Sequence, residues 1–307
     1  MKASTLWGLA IARVRSDDDL EAMIAVRTAA EPESPPPRLE NLRQNLVADP
    51  NLTYLVARIE GTPVGCGFVE PHGALAYANA HLVVVPDARR QGIGSNLLAA
   101  ASELARLGDN SELQGEIRAS DDVSRAFFER RGYSVVGGEQ ALALTLDDVP
   151  ALRPEAPRGI TIVSRAERPD VVAGMYAVAV EAEADIPGNE VERSFELWRA
   201  SEIDRPSANP ELCFVALAGE EVVGYAALDD GDRDVHNRLT AVKRAWRRRG
   251  IATALKRAEI VAAKERGFRR LLTESEERNL PMRSLNEQLG YRPEPSLSTI
   301  VVRGPLL

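Results

Sequence analysis

The chain has 307 residues, 44% apolar and 27% charged, and its 38 Lys and Arg against 46 Asp and Glu leave a formal net charge of -8. That balance argues against broad binding to a phosphate backbone, which calls for a net basic footprint. No run approaches the roughly 18 uninterrupted apolar residues of a membrane span, two cysteines are too few for a disulfide framework, and His72, His81 and His236 lack the paired spacing of a structural zinc set.

In chain order, the opening MKASTLWGLAIARVRSDDD has one Lys and a short apolar stretch, Leu6 to Ala12, which does not make a secretory signal, so the cytoplasm is the expected compartment. LAIARV reads as a strand, Asp17 to Ala29 as a helix with an acidic start, Pro32 to Pro37 as a loop and Leu39 to Val47 as a second helix. TYLVARIEGTPVGCGFVEP alternates as a β-hairpin turning at Gly-Thr-Pro. The apolar run HLVVVP leads into an Arg/Gly segment and then a helix striped by Leu97, Leu98, Ala101, Leu104 and Leu107. A short strand, ELQGEIRA, precedes a helix ending in RRGY.

VPALRPEAPRG, from Val149 to Gly159, concentrates three prolines without apolar periodicity and reads as a linker. Beyond it the order repeats. ELCFVALAGEEVVGYAALDD is the second hairpin, turning at Gly219 to Glu221; RLTAV precedes a second Arg/Gly segment; a helix carries Leu255, Ala258, Val261 and Ala262; RRLLTES leads into a helix ending in QLGY. The second half adds helical material, VERSFELWRASEI, within 181 to 211. Two domains are expected, 1–150 and 159–307, each of α/β (α+β layered) class with a central mixed sheet flanked by helices. Cys66 and Cys213, inside strand-like runs, read as buried thiols.

The repeat is a duplication at one offset: RRQGIG at Arg89 returns as RRRGIA at Arg247, 158 positions later, and Val84, Leu97, Gly132 and Tyr133 match Val242, Leu255, Gly290 and Tyr291. A strand that breaks into a glycine turn and enters a helix directs several backbone amides at one point, at the positive end of the helix dipole. Glycine lets a pyrophosphate approach, and arginine forks suit phosphate oxygens. The spacing fits neither a Walker loop nor the dinucleotide fingerprint.

Val-x-Pro-x-x-Arg-Arg-x-Gly-x-Gly from Val84 to Gly94 resembles the acetyl-CoA signature of the GNAT N-acetyltransferase superfamily, whose core reads Gln/Arg-x-x-Gly-x-Gly/Ala. The second half meets that core from Arg247 to Ala252. The resemblance implies a sheet splayed beyond the strand before the loop, with the pantetheine arm of acetyl-CoA lying on that strand. It implies contacts to the arm from Leu82, Val83 and Val84, and from Thr240, Ala241 and Val242. It likewise implies that Arg89, Arg90, Gln91, Gly92, Ile93, Gly94 and Ser95, and Arg247, Arg248, Arg249, Gly250, Ile251, Ala252 and Thr253, cradle the phosphates.

Family members also carry an Asn about eleven residues before a terminal Gly-Phe or Gly-Tyr, facing CoA, and a Tyr four residues before it that acts as general acid. Counting from Gly290 gives Asn279 and Asn286; from Gly132, Asp121 and Phe128. The second half keeps the asparagine and neither half has the tyrosine. This implies a degenerate N-terminal half and a catalytic C-terminal one, a layout similar to mycothiol-synthase-like tandem members. For the base, His236 lies six residues before Val242, on the same face by strict alternation, where the first half has Ala78; Glu70, Asp229, Asp230 and Glu276 are rivals that read as solvated strand-end charges.

The resemblance therefore implies transfer of an acetyl group from acetyl-CoA to a primary amine of a small molecule by direct attack in a ternary complex, in a monomer or homodimer, with no nucleic-acid or membrane partner and no metal. Residues 30 to 38 and 181 to 211 are the expected specificity loops. Three other readings stay open: mycothiol synthase-type activity, a non-catalytic acyl-CoA-binding regulator suggested by the missing tyrosines, and a nucleic-acid binder resting on WRRRG and GFRRLL.

Overall fold

Local chemistry sets the first elements of the chain. Strand β1 (Leu9–Arg13) ends just before Ser16, whose hydroxyl caps helix α1 (Asp17–Ala30) by accepting from Asp19 N, with Asp17, Asp18 and Asp19 in the first turn against the helix dipole. Helix α2 (Leu39–Ala48) follows, then β2 (Thr53–Ile59), β3 (Thr62–Glu70) and β4 (Tyr77–Val84). Helix α3 (Ile93–Leu107), β5 (Glu112–Arg118), α4 (Asp122–Glu129) and β6 (Ser134–Thr145) complete the first series. The second comprises β7 (Thr161–Ser164), α5 (Val172–Glu183), α6 (Phe195–Trp198), β8 (Ala208–Ala218), β9 (Glu221–Asp229), β10 (Asp234–Val242), α7 (Ile251–Glu265), β11 (Arg270–Glu276), α8 (Leu280–Gln288), β12 (Arg292–Pro293) and β13 (Thr299–Pro305). This computed structural model describes residues 8–32, 34, 36–73, 75–150, 155–185, 193–229, 233–276 and 279–307.

The expected α/β class holds, each half being a mixed sheet flanked by helices. Two compact units form, residues 1–138 with 299–307, and residues 139–298. They differ from the linear division at 150 and 159 by two strands. β13, last in the chain, pairs antiparallel with β5 from Thr299↔Arg118 to Pro305↔Glu112, closing the N-terminal sheet in the order β1-β2-β3-β4-β5-β13. β6 pairs antiparallel with β11 from Glu139↔Glu276 to Thr145↔Arg270, so the C-terminal sheet runs β6-β11-β10-β9-β8-β7, with β12 beside β6. A cut at a linker cannot see a strand that serves the other repeat. The Gly137-Gly138 pair also hides β6, because it interrupts the alternation that marks a strand; a Cβ on Gly138 would lie 2.9 Å from Thr299 O.

The first hairpin turns one residue earlier than expected. Glu60 and Gly61 adopt φ of 50° and 84°, as a two-residue primed turn requires, and Thr62 and Pro63 already belong to β3. Proline is tolerated there because the β2–β3 register slips between Ala57 and Arg58.

Each sheet buries both faces. In the N-terminal unit α3 packs Leu97, Leu98 and Ala101 on one face, while α1 packs Leu20, Met23 and Val26 against Tyr54, Val56 and Cys66 on the other. In the C-terminal unit α7 sets Ile251 and Leu255 against Val223 and Val242, and α5 sets Met175 and Val178 against Val215, Tyr225 and Trp198. A fully buried leucine such as Leu97 or Leu255 is worth about 2 kcal/mol. Both cysteines are free and buried, and burial pushes each thiol up to about 12. Tyr133 and Tyr291 are core residues. Among the described residues no helix is long and apolar enough to cross a membrane, and no group of three or more His, Cys, Asp or Glu could hold a metal.

Candidate active site

Parallel pairing occurs once in each unit, and each time it stops early. β4 pairs with β5 only over Tyr77↔Glu112 to Asn79↔Gln114, and β10 with β11 only over Asp234↔Arg270 to Asn237↔Thr273. Beyond those residues the strands part, so Leu82, Val83, Val84 and Thr240, Ala241, Val242 lie on stretches with a hydrogen-bonded neighbour on one side only, β3 or β9. A strand edge of this kind offers free N–H and C=O groups to an extended ligand.

Each edge runs into a helix whose start is left open. Gly92 and Gly250 stand before α3 and α7 with φ of 87° and 81°, and neither helix has a side-chain cap or an acidic residue in its first turn. By contrast, Ser16, Asp121, Ser194 and Asn279 cap α1, α4, α6 and α8 with their side chains. The first backbone bonds near the two open ends are Asn96 N to Gly92 O and Ala254 N to Gly250 O; the amides of Gln91 to Ser95 and Ile251 to Thr253 have no partner among the described residues. Such converging amides form an anion site. Arg90 and Arg248 hold φ of 63° and 60°, a left-handed conformation that costs an L residue about 1 kcal/mol, at the same place in both halves.

The motif side chains divide into two roles. Arg89 Nε donates to Val84 O at 3.0 Å and Arg247 Nε to Val242 O at 2.9 Å, tying each loop to the end of its strand. Their outer nitrogens reach the end of the unit's first helix: Arg89 Nη2 lies 3.5 Å from Ala30 O, and Arg247 Nη2 lies 2.6 Å from Asp185. Gln91 and Arg249 each bond back to a carbonyl four residues earlier, and Arg249 stacks on Trp246 at 4.7 Å. Arg90 and Arg248 remain exposed, with no side-chain partner among the described residues. Ser95 accepts from Arg131 at 2.8 Å. Gly94 and Ala252 are interchangeable in space, since a Cβ on Gly94 would come no nearer than 3.7 Å to Phe127. Asn279 accepts from Met282 N at 3.3 Å as the α8 cap, the role Asp121 fills for α4.

His236 stands differently from its sequence expectation. The register of β10 slips between Asn237 and Leu239, so Arg238 is bulged out. Val235 and Val242 pack toward α7 and Asn237 bonds to residues of α7, so His236 points to the opposite face from Val242; the six-residue count assumed an unbroken alternation. No hydrogen bond holds the His236 ring among the described residues. Of its rivals, Glu70 pairs with His72 at 3.5 Å and Asp229 with Arg205, so neither is a free solvated charge; Glu276 O accepts from Asn279 N, and Asp230 lies outside the described residues.

A residue pair that sequence reasoning left aside stands in the N-terminal cleft. His81, on the parted stretch of β4, faces α1 and donates from Nε2 to Glu31 Oε1 at 3.0 Å, while Glu31 Oε2 accepts from Arg27 Nε at 3.0 Å. Burial pushes the Glu31 carboxyl up, but the hydrogen bond and charge of His81 together with Arg27 outweigh it and hold the group at about 2. The signal was a histidine three residues before Val84 and a glutamate at the end of the first helix, within the 30 to 38 loop; residues 33 and 35 of that loop lie outside the described residues.

The corresponding face of the C-terminal unit is filled with ion pairs. Arg238 pairs with Glu202 at 3.1 Å, Arg193 with Glu202 at 3.2 Å and with Glu183, and Arg205 with Asp229. They border a cleft of about 380 Å³, open mouth included, lined by Arg165, Met175, Glu202, Arg205, Tyr225 and Arg238. Residues 186–192 of the 181 to 211 segment lie outside the described residues. On the α7 face, Asn237 donates to Glu259 at 2.7 Å and accepts from Lys256 at 3.2 Å, Thr240 at 3.2 Å and Thr273 at 3.3 Å. Lys256 and Glu259 are 1% and 0% exposed; burial pulls the lysine down and pushes the glutamate up to about 8. Asn286, in the place of the family tyrosine, is wholly buried with neither amide atom bonded among the described residues.

Residues 50–135 match the acetyltransferase (GNAT) domain model and residues 175–291 the acetyltransferase (GNAT) family model, together more than half of the chain. No curated protein matches the sequence. Among solved structures, a GCN5-related N-acetyltransferase from Sphaerobacter thermophilus is similar at 21% identity and a TM-score of 0.73, over 98% of this chain and 96% of that one. A tandem GNAT protein from the clavulanic acid biosynthesis pathway is similar at 24% identity and a TM-score of 0.75, over 97% and 99%. At such identities the likeness speaks to fold, and the tandem layout agrees with the duplicated cleft and open helix. The chain is an acyltransferase of the GNAT family, built from two GNAT domains in tandem.

Proposed function

We propose that this protein transfers an acetyl group from acetyl-CoA to the primary amine of a small molecule, by direct attack within a ternary complex. One observation carries the reading: in each half a strand edge freed from its parallel neighbour leads into uncapped helix amides with no acid beside them. An extended pantetheine arm, with its two amides, pairs with such an edge as a strand would. A diphosphate fits the amides of Gln91 to Ser95 or Ile251 to Thr253, beside the exposed Arg90 or Arg248. The bound acetyl-CoA supplies the activated acyl group. The chain supplies orientation, and free N–H groups of β4 or β10 polarise the thioester carbonyl.

Thiol release from acetyl-CoA by the full chain, followed with glucosamine, lysine, tyramine and kanamycin as acceptors, tests the reading. We expect thiol to appear in step with an acetylated amine identified by its mass. Saturable CoA binding with no thiol released to any amine would instead favour a non-catalytic acyl-CoA binder.

A further inference from the structure

Among the described residues on the parted stretches of β4 and β10, His81 has the geometry of an oriented base. On β4 the residues alternate: Ala80, Leu82 and Val84 pack toward α3, while Val83 packs toward α1, as does Phe68 of β3, the cross-strand partner of His81, which places His81 on the α1 face. His81 is two residues past the last parallel pair, Asn79↔Gln114, so it stands where the strands have just parted. Its ring is fixed twice, by the 3.0 Å bond to Glu31 and by stacking on Phe68 at 6.0 Å. With Nε2 donating to a carboxylate, Nδ1 is the ring's acceptor. The side chain is 23% exposed, enough for an amine to reach it.

The other half lacks this arrangement. Counted back from the strand ends Val84 and Val242, the residue in the place of His81 is Leu239, and the face beside it is occupied by the Arg238, Glu202 and Arg205 pairs. His236 has no orienting partner among the described residues.

We propose that the N-terminal half is a working acyl-transfer centre in which His81 takes the proton of the acceptor amine, with Glu31 and Arg27 as its positioning residues. This rests on the acetyl-CoA reading above and reverses the expectation of a degenerate first half. The acceptor ammonium gives one proton to His81 Nδ1, and its freed lone pair forms the C–N bond at the thioester carbonyl. The C–S bond breaks with its electron pair on sulfur, and the second proton of the attacking nitrogen ends on that sulfur as thiol. His81 returns its proton to water, so the sum is amide, free CoA and one proton. The charged groups at this end of α1 are Arg27 of the helix, Glu31 just after it, Arg89 of the loop before α3, whose guanidinium reaches Ala30, and Arg118 of β5, which bonds Ser34; Cys66 of β3 stays a neutral thiol.

The test is thiol release with the same four amines, together with CoA affinity by calorimetry, for the full chain and its His81→Ala, His81→Gln and Glu31→Gln variants. We expect His81→Ala and His81→Gln to lower kcat about 100-fold or more at unchanged CoA affinity and to abolish the fall in rate on the acid side of the pH profile. Glu31→Gln should keep that acid limb but move it. CoA affinity reports folding, and His81→Gln retains a donor to Glu31 should the alanine variant fail to fold. Turnover within twofold of wild type in both His81 variants overturns this assignment while leaving acetyl transfer standing. Absence of turnover in the wild type with every amine overturns both.

Discussion

Asn237 donates from Nδ2 to Glu259 Oε1 at 2.7 Å and accepts at Oδ1 from Lys256, on the α7 side of the point where β10 and β11 part. At the 158-residue offset the N-terminal half keeps the asparagine as Asn79 but sets Leu98 and Ala101 where Lys256 and Glu259 stand. Where Glu259 is ionised, removing Lys256 leaves a buried charge without its counterion, which costs about 3 kcal/mol. Lys256→Leu should therefore destabilise the chain by about that amount, and Lys256→Leu with Glu259→Ala should recover most of it. Because the folded chain raises Glu259 from 4.5 to about 8, its contribution is present below 4.5 and is lost as pH rises through about 8. Urea denaturation at pH 5 and pH 8 checks both, and the Lys256→Leu deficit should be the larger at pH 8.

Glu31 has the opposite sign. Its ordinary value of 4.5 falls to about 2 in the folded chain, so its stabilisation is present above 4.5 and is lost as pH falls toward 2. The shift corresponds to about 3 kcal/mol. Glu31→Gln should be less stable than wild type at pH 7 and lose less on acidification to pH 3, read from denaturant midpoints across that range.

The two glycines of the first-half motif should respond in opposite directions to alanine. Gly92 sits at φ 87°, where an L residue costs about 1 kcal/mol, so Gly92→Ala should destabilise by about that much, and Gly250→Ala, at φ 81°, likewise. Gly94→Ala meets nothing closer than 3.7 Å and lies in the first turn of α3, so it should be neutral or stabilising by about 0.5 kcal/mol. Thermal melts of the three variants decide it.

Arg89 and Arg247 act on the loop through their forks. Lysine keeps the charge but cannot bond the strand carbonyl and the first helix together. Arg89→Lys and Arg247→Lys should each weaken CoA binding in its own half about tenfold, for about 1.4 kcal/mol. Calorimetry on the single and double variants separates the two sites.

The loops, helices and hairpins were legible because each is a local pattern: the glycine at φ 87° before α3 and the stripe of Leu97, Leu98 and Ala101 are written within a dozen residues. β6 and β13 were not, since each completes the sheet of the other repeat, and no local period says which sheet a strand joins. The bulge at Arg238 was equally hidden, and it turned His236 away from the face assigned to it. His81 and Glu31 are 50 positions apart and meet only because α1 packs on β4. The buried Lys256 and Glu259 hid in a helix whose stripe read as ordinary core.

The most direct test of the central claim, that uncapped amides at α3 and α7 grip the diphosphate of CoA, is the amide spectrum of the ¹⁵N-labelled chain titrated with CoA. The account predicts saturable shifts of the Gln91 to Ser95 amides, the Ile251 to Thr253 amides, or both, larger than those at the side-chain-capped starts of α1 and α4. Saturable CoA binding that leaves both sets unmoved, or no binding at millimolar CoA, would contradict it.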